Sequence, residues 1–129
     1  MATENFLIAL VFNGFNSKSQ EIVSIQNELG HNGLGIFLEI LELSVRNEKL
    51  PADYKLLSKI LNKPVLDYCN KNNLPTKNLY PTKKLKKIVE DFGFFDFSSD
   101  GNFFYLSTNT IDRMNLKKVI SEYRIKGGK

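Results

Sequence analysis

The spacing of apolar residues changes along this chain, and each change marks an element. The opening run FLIALVF (residues 6–12) is continuously apolar and is followed by Asn-Gly. It predicts a strand or extended segment that ends in a turn at Asn13-Gly14. Ser17 is placed to cap a helix running to Leu29, with Ile22, Ile25 and Leu29 at i, i+3 and i+7. Gly30 then stands where a left-handed C-cap is needed. GHNGLG (30–35) has the spacing G-x-x-G-x-G, not G-x-G-x-x-G, and no clear strand precedes it. It predicts a helix–helix corner, with Asn32 capping the next helix and Gly33 and Gly35 allowing close approach. That next helix, residues 33 to about 47, buries a wide face of Leu34, Phe37, Leu38, Leu41 and Val45, widened by Ile36 and Ile40.

Pro51 stops the chain and Asp53 caps a short helix, YKLLSKIL. KPVLDYCNKNN (63–73) reads as another short helix with Pro64 in its first turn, and LPTKNLYP (74–81) as a loop between prolines. Thr82 is placed to cap KKLKKIVEDFG, where Leu85, Ile88, Val89 and Phe92 make one apolar stripe and Gly93 ends the helix. Asp100-Gly101 is a type I′ turn signal. Pairing across it sets Phe97 against Phe104 and Phe95 against Leu106 on the face that packs on helices. Phe94, Asp96, Ser98, Phe103 and Tyr105 fall on the other face. Asn109 and Asp112 resemble a capping box that opens a basic helix and tail from about residue 109, with a frayed KGGK end.

Composition narrows the class. A chain of 129 residues, 42% hydrophobic and 25% charged, forms one domain with one core. The longest apolar run is too short to span a bilayer and lacks the flanks of a signal peptide. The single Cys69 reads as a buried thiol in a reducing cytoplasm. Residues 1–76 hold seven Lys/Arg against eight Asp/Glu, and residues 77–129 hold eleven against six. The first part is therefore −1 and the second +5, an asymmetry that points to a polyanionic partner for the C-terminal half. A solvated lysine-rich face with no ligand is the competing reading.

Candidate chemistry is sparse. His31 has no second His or Cys with metal-ligand spacing and reads as an exposed corner residue. Glu39 and Glu42 read as a solvated face. No nucleophile elbow and no phosphate loop is present, so the expectation is a non-enzyme with no cofactor, no metal and no small-molecule substrate. Lys83, Lys84, Lys86 and Lys87 are forced onto the outer surface by the apolar stripe between them, and they stand in the half of the helix that the dipole favours least for cations.

The fold expectation is mainly α with a small antiparallel hairpin, a single α+β domain over 1–129. The order helix, short helix, second short helix, hairpin is that of a winged helix-turn-helix. In that geometry the helix before the hairpin enters the major groove and the wing contacts the backbone or minor groove. Lys83, Lys84, Lys86 and Lys87 are the candidate phosphate contacts, extended by Arg113, Lys117 and Lys118; Arg124, Lys126 and Lys129 add to the basic end. Phe103 and Tyr105 are candidates for stacking or for a protein interface. The alternative function is an interaction or oligomerisation module, with those rings and the apolar positions of the N-terminal segment and C-terminal helix as its surface.

SQEIVSIQNELGHNGLGIFLEILE (19–42), LPADYKLLSKIL (50–61) and VEDFGFFDFSSDGNFFYLSTNTIDRM (89–114) carry a family resemblance. They are similar to the N-terminal domain of phage and bacterial replisome-organiser-like proteins related to the DnaD type, long catalogued as a domain of unknown function. The corner departs from that pattern, with GIFLEI where relatives usually carry a Tyr-Trp pair. The resemblance implies a winged-helix DNA-binding or assembly module in phage or plasmid replication initiation, with replication proteins or further copies as partners. It also implies a Gly/Lys-rich linker to a second helical domain, beginning near RIKGGK.

Overall fold

A computed structural model describes residues 4–12, 14 and 19–127, with side chains from 5 through 124. The elements are α1 (Glu4–Phe12), α2 (Gln20–Arg46), β1 (Leu50–Pro51), α3 (Tyr54–Lys71), α4 (Thr82–Asp91), β2 (Phe95–Phe97), β3 (Phe103–Leu106), α5 (Thr108–Arg113) and α6 (Lys117–Gly127). The chain is mainly helical, and its strands form one antiparallel sheet in the order β1-β3-β2.

The first segment is a helix, not a strand. A strand would send Phe6, Ile8, Leu10 and Phe12 to one face. Instead Phe6 and Leu10, four apart, are buried while Ile8 and Phe12 are exposed. A short, uniformly apolar run carries no period that separates the two states. Asn13 and Ser17 lie outside the described residues; Gly14 donates its N–H to the Val11 carbonyl at 3.1 Å, so a turn does follow α1.

Ser19 caps α2, its Oγ accepting from Ile22 N at 3.4 Å. The expected corner is present: Gly30, at φ 74° and ψ −173°, breaks the helical path between two halves. That conformation is open to glycine and strained for residues with a Cβ. Gly33 permits the close approach, since a Cβ there would lie 2.2 Å from Leu29 Cβ; Gly35 faces open space and does not. The second half buries Ile36, Phe37, Ile40, Leu41 and Val45 against the rest of the core. Glu42 departs from the solvated face expected of it: it is buried and accepts two hydrogen bonds from Arg46, at 3.2 and 3.0 Å.

Asp53 caps α3 as expected, accepting from Lys55 N and Leu56 N at 3.1 and 3.2 Å. The two short helices expected next are one. α3 runs through Pro64, which borders a groove with Leu43 and Arg46 of α2. An interior proline costs about 3 kcal/mol. Burial of Leu57, Leu61 and Cys69 on the same helix offsets that cost, at roughly 1.5–3 kcal/mol for each large side chain. The helix ends at Lys71 with Asn72 as its cap; Asn73 beyond it takes φ 55°, and Leu74 N bonds to Cys69 O at 2.8 Å. The following loop is tied back to α3 by Ser58 Oγ donating to Tyr80 O (2.6 Å) and Asn62 Nδ2 donating to Lys77 O (2.7 Å).

The hairpin register is the expected one: Phe95 faces Leu106 and Phe97 faces Phe104. Its turn is not type I′. Gly101 N bonds to Ser98 O at 2.9 Å, which centres a β-turn on Ser99 and Asp100, and the positive φ falls at Gly101. Asp100 holds this loop by accepting from Ser98 Oγ (2.7 Å) and Asn102 N (2.9 Å). Those bonds, Ser98 first, lower its carboxyl below the ordinary aspartate value. Phe94 precedes β2 and turns inward, meeting Phe37 at a tilt and stacking with Phe92, so it does not join the outer face. β1 adds a third strand through Leu50↔Phe104 and Pro51↔Phe103.

The C-terminal region is two helices. Ser107, not Asn109, caps α5, accepting from Thr110 N at 3.1 Å. Asn115 takes φ 56°, and Leu116 N reaches back to Ile111 O at 2.9 Å, a left-handed stop that buries Leu116. α6 then packs on α2. Among the described residues no helix is long and apolar enough to cross a membrane.

Candidate nucleic-acid interface

α4 starts without a side-chain cap. Pro81 occupies the cap position and its carbonyl accepts from Lys84 N and Leu85 N, both at 3.1 Å, while Thr82 is the first helical residue and not the cap expected of it. Leu85, Ile88 and Val89 are buried and Phe92 is half-buried, so one side of the helix is committed to the core. Lys83 and Lys86 are exposed, and Lys84 and Lys87 are half-exposed.

The four lysines are not equivalent. Lys87 Nζ lies 3.4 Å from Asp91 and 3.5 Å from Glu28 of α2. Asp91, and Glu28 after it, hold the Lys87 ammonium above the ordinary lysine value. Among the described residues, none pairs with Lys83, Lys84 or Lys86. The other end of α4 is acidic: Asp91 faces Lys87, and Glu90 accepts a 2.7 Å hydrogen bond from the Tyr54 hydroxyl of α3. Free positive charge is therefore confined to the first part of the helix.

The remaining basic candidates stand on other elements, in different surroundings. Arg113 is ion-paired with Glu21 in the first turn of α2. Lys117 and Lys118 are exposed on the first turn of α6, whose main packing is on α2. Arg124 is consumed structurally: Nε donates to Val45 O (3.1 Å), and Nη2 to Ser44 O (3.0 Å) and Asn47 O (3.2 Å), capping the C-terminus of α2. The side chains of Lys126 and Lys129 lie outside those described.

Phe103 and Tyr105 share the outer face of the sheet, in register with Pro51 and Asp96. Phe103 is half-buried, with Lys49 Nζ 4.2 Å from its ring centroid. Tyr105 is exposed. In the N-terminal helix, Phe6 meets Tyr123 of α6 edge to face. Strands β2 and β3 and their loop carry Asp96 and Asp100 and no Lys or Arg.

Sequence reasoning missed Lys49, Glu21, Glu28 and Arg124 as determinants of this surface. Lys49, two residues before Pro51, gave no sign of the strand that brings it to Phe103. The two glutamates carried a weak signal, since charges at 21 and 28 recur every seven residues on one helix face. His31 is exposed, as expected, with Nδ1 2.8 Å from Gln26 Nε2. Among the described residues no group of three or more His, Cys, Asp or Glu could hold a metal ion. Comparison with known proteins finds no match: no family model, no curated protein and no solved structure is significantly similar to this chain.

Proposed function

We propose that this chain is a winged-helix DNA-binding module of a phage- or plasmid-type replication initiation protein, holding duplex phosphates through Lys83, Lys84 and Lys86. The observation that carries the reading is the set of three ammonium groups on the first half of α4 that have no carboxylate partner among the described residues. Element order supports it: the second half of α2, β1, α3, α4 and the β2–β3 hairpin follow one another, and β1 pairs with the hairpin. The replication context rests on the resemblance of residues 19–42, 50–61 and 89–114 to replisome-organiser proteins.

Electrostatics refines the geometry. A wing carrying Asp96 and Asp100 meets a phosphate backbone with like charge, so the contact falls on the helix and not on the hairpin. α4 contains no Arg, Asn or Gln for bidentate base recognition. Binding is therefore directed at phosphates and largely indifferent to sequence.

Fluorescence anisotropy with two short duplexes of unrelated sequence, titrated at several salt concentrations, tests this. Three neutralised phosphates give a log–log slope of about −2.7, or roughly 40-fold weaker binding between about 50 and 200 mM salt. Lys83→Glu with Lys86→Glu should abolish binding to both duplexes alike. A flat salt titration, or a double variant that binds like the wild type, rejects the reading.

A further inference from the structure

We infer that the outer face of α1 is the contact between two copies of this chain, giving a two-fold symmetric dimer. From Asn5 to Phe12 the helix carries no charge and a single polar side chain. Phe6 and Leu10 anchor it to the core, and the opposite face is left to solvent: Leu7 is 38% exposed, Ile8 45%, Val11 70% and Phe12 85%. At 100° per residue these four form one continuous strip, Leu7 above Val11 and Ile8 above Phe12. A helix that is apolar all round normally ends up buried on every side.

Area and charge together favour a second copy as the occupant. At those exposures four side chains of this size present on the order of 400 Å² of apolar surface, within the range where a patch on a monomer marks an interaction site. Two such strips packed face to face bury on the order of 800 Å², the size of a weak, concentration-dependent contact and below the about 1,000 Å² of a stable one. An isologous contact also sets every charge near the axis against its own copy. The α1 strip has none to set, although the chain as a whole is +4. Exposed apolar residues on the other helices are Val23, single on α2, and Leu56, Ile60, Leu66 and Tyr68 of α3, which are interleaved with Lys59, Lys63 and Asp67, so that two copies meeting there would oppose like charges.

The inference is independent of DNA contact, because no α1 residue belongs to the α4 lysine group. Sedimentation velocity of the full chain from about 1 to 100 µM should show the weight-average mass rising from monomer to dimer. Phe12→Glu should remain monomeric throughout, with unchanged far-UV circular dichroism, because the side chain it replaces faces solvent. Val11→Cys should oxidise to a disulfide-linked dimer while Leu56→Cys does not, a readout that holds even if a charged variant misfolds. Lys83→Glu with Lys86→Glu should still dimerise, which separates this test from that of DNA binding. A wild-type chain that stays monomeric overturns the inference, including one that instead pellets with phosphatidylcholine vesicles. So does a dimer that persists in Phe12→Glu while Val11→Cys fails to cross-link.

Discussion

Replacing Arg124 with alanine tests whether the basic C-terminal helix is built for stability or for a ligand. Its guanidinium donates to three carbonyls at the end of α2, two of them partly buried. Removing it withdraws a cation from a helix C-terminus, worth about 0.3–1 kcal/mol. It also leaves two partly buried carbonyls short of a donor, at roughly 1 kcal/mol each. The expected loss is about 2–3 kcal/mol. With a urea m-value of about 1–3 kcal/mol/M for a small domain, the unfolding midpoint should fall by roughly 0.7–3 M at unchanged m. Arg124→Lys keeps the charge but cannot reach the three oxygens in one plane, so it should recover less than half of the loss. A midpoint shift in Arg124→Ala below about 0.3 M would refute the capping argument. Since Arg124 is spoken for inside the fold, the salt slope of DNA binding should not change in either variant.

Tyr54 sets an alkaline limit. Burial first, and the hydrogen bond to Glu90 second, raise its hydroxyl pKa above the ordinary tyrosine value. The protonated form is thus favoured by folding, and its contribution is complete below about pH 10 and lost as pH rises beyond it. Urea midpoints compared at neutral and strongly alkaline pH should fall further for the wild type than for Tyr54→Phe; equal falls would reject this. Asn115→Ala places a Cβ-bearing residue without a compensating amide at φ 56°, and should cost about 1–2 kcal/mol in thermal or urea unfolding, while Asn115→Gly should be near neutral. Glu28→Gln releases one of the two carboxylates on Lys87, so the duplex should bind more tightly and the salt slope steepen by up to about 0.9. An unchanged slope would mean that Asp91 alone keeps Lys87 occupied.

Where order is set by neighbours in the chain, the sequence was legible. Leu85, Ile88 and Val89 recur at helical spacing, and that spacing alone puts the lysines between them outside. Asp100-Gly101 centres the hairpin and fixes which phenylalanines face each other, even though the turn itself is built differently. Gly30 is the one residue type that takes its backbone angles without strain, so the corner in α2 could be read from composition and position. These are local constraints of a few residues each, and they need no knowledge of the rest of the chain.

What the local pattern left open was settled by packing between distant segments. FLIALVF has no period, and only the core it meets selects a helix with Phe6 and Leu10 inward. α3 crosses Pro64 because the apolar residues on both sides of it share one surface. β1 is two residues long, too short to alternate, and exists because β3 offers an edge beside it. The charged surface was decided in the same way. Arg113, Lys87 and Arg124 look like free cations in the sequence, but Glu21, Glu28 and the end of α2 reach them only after folding, since ion pairs and helix caps depend on distances of a few ångströms between residues far apart in the chain.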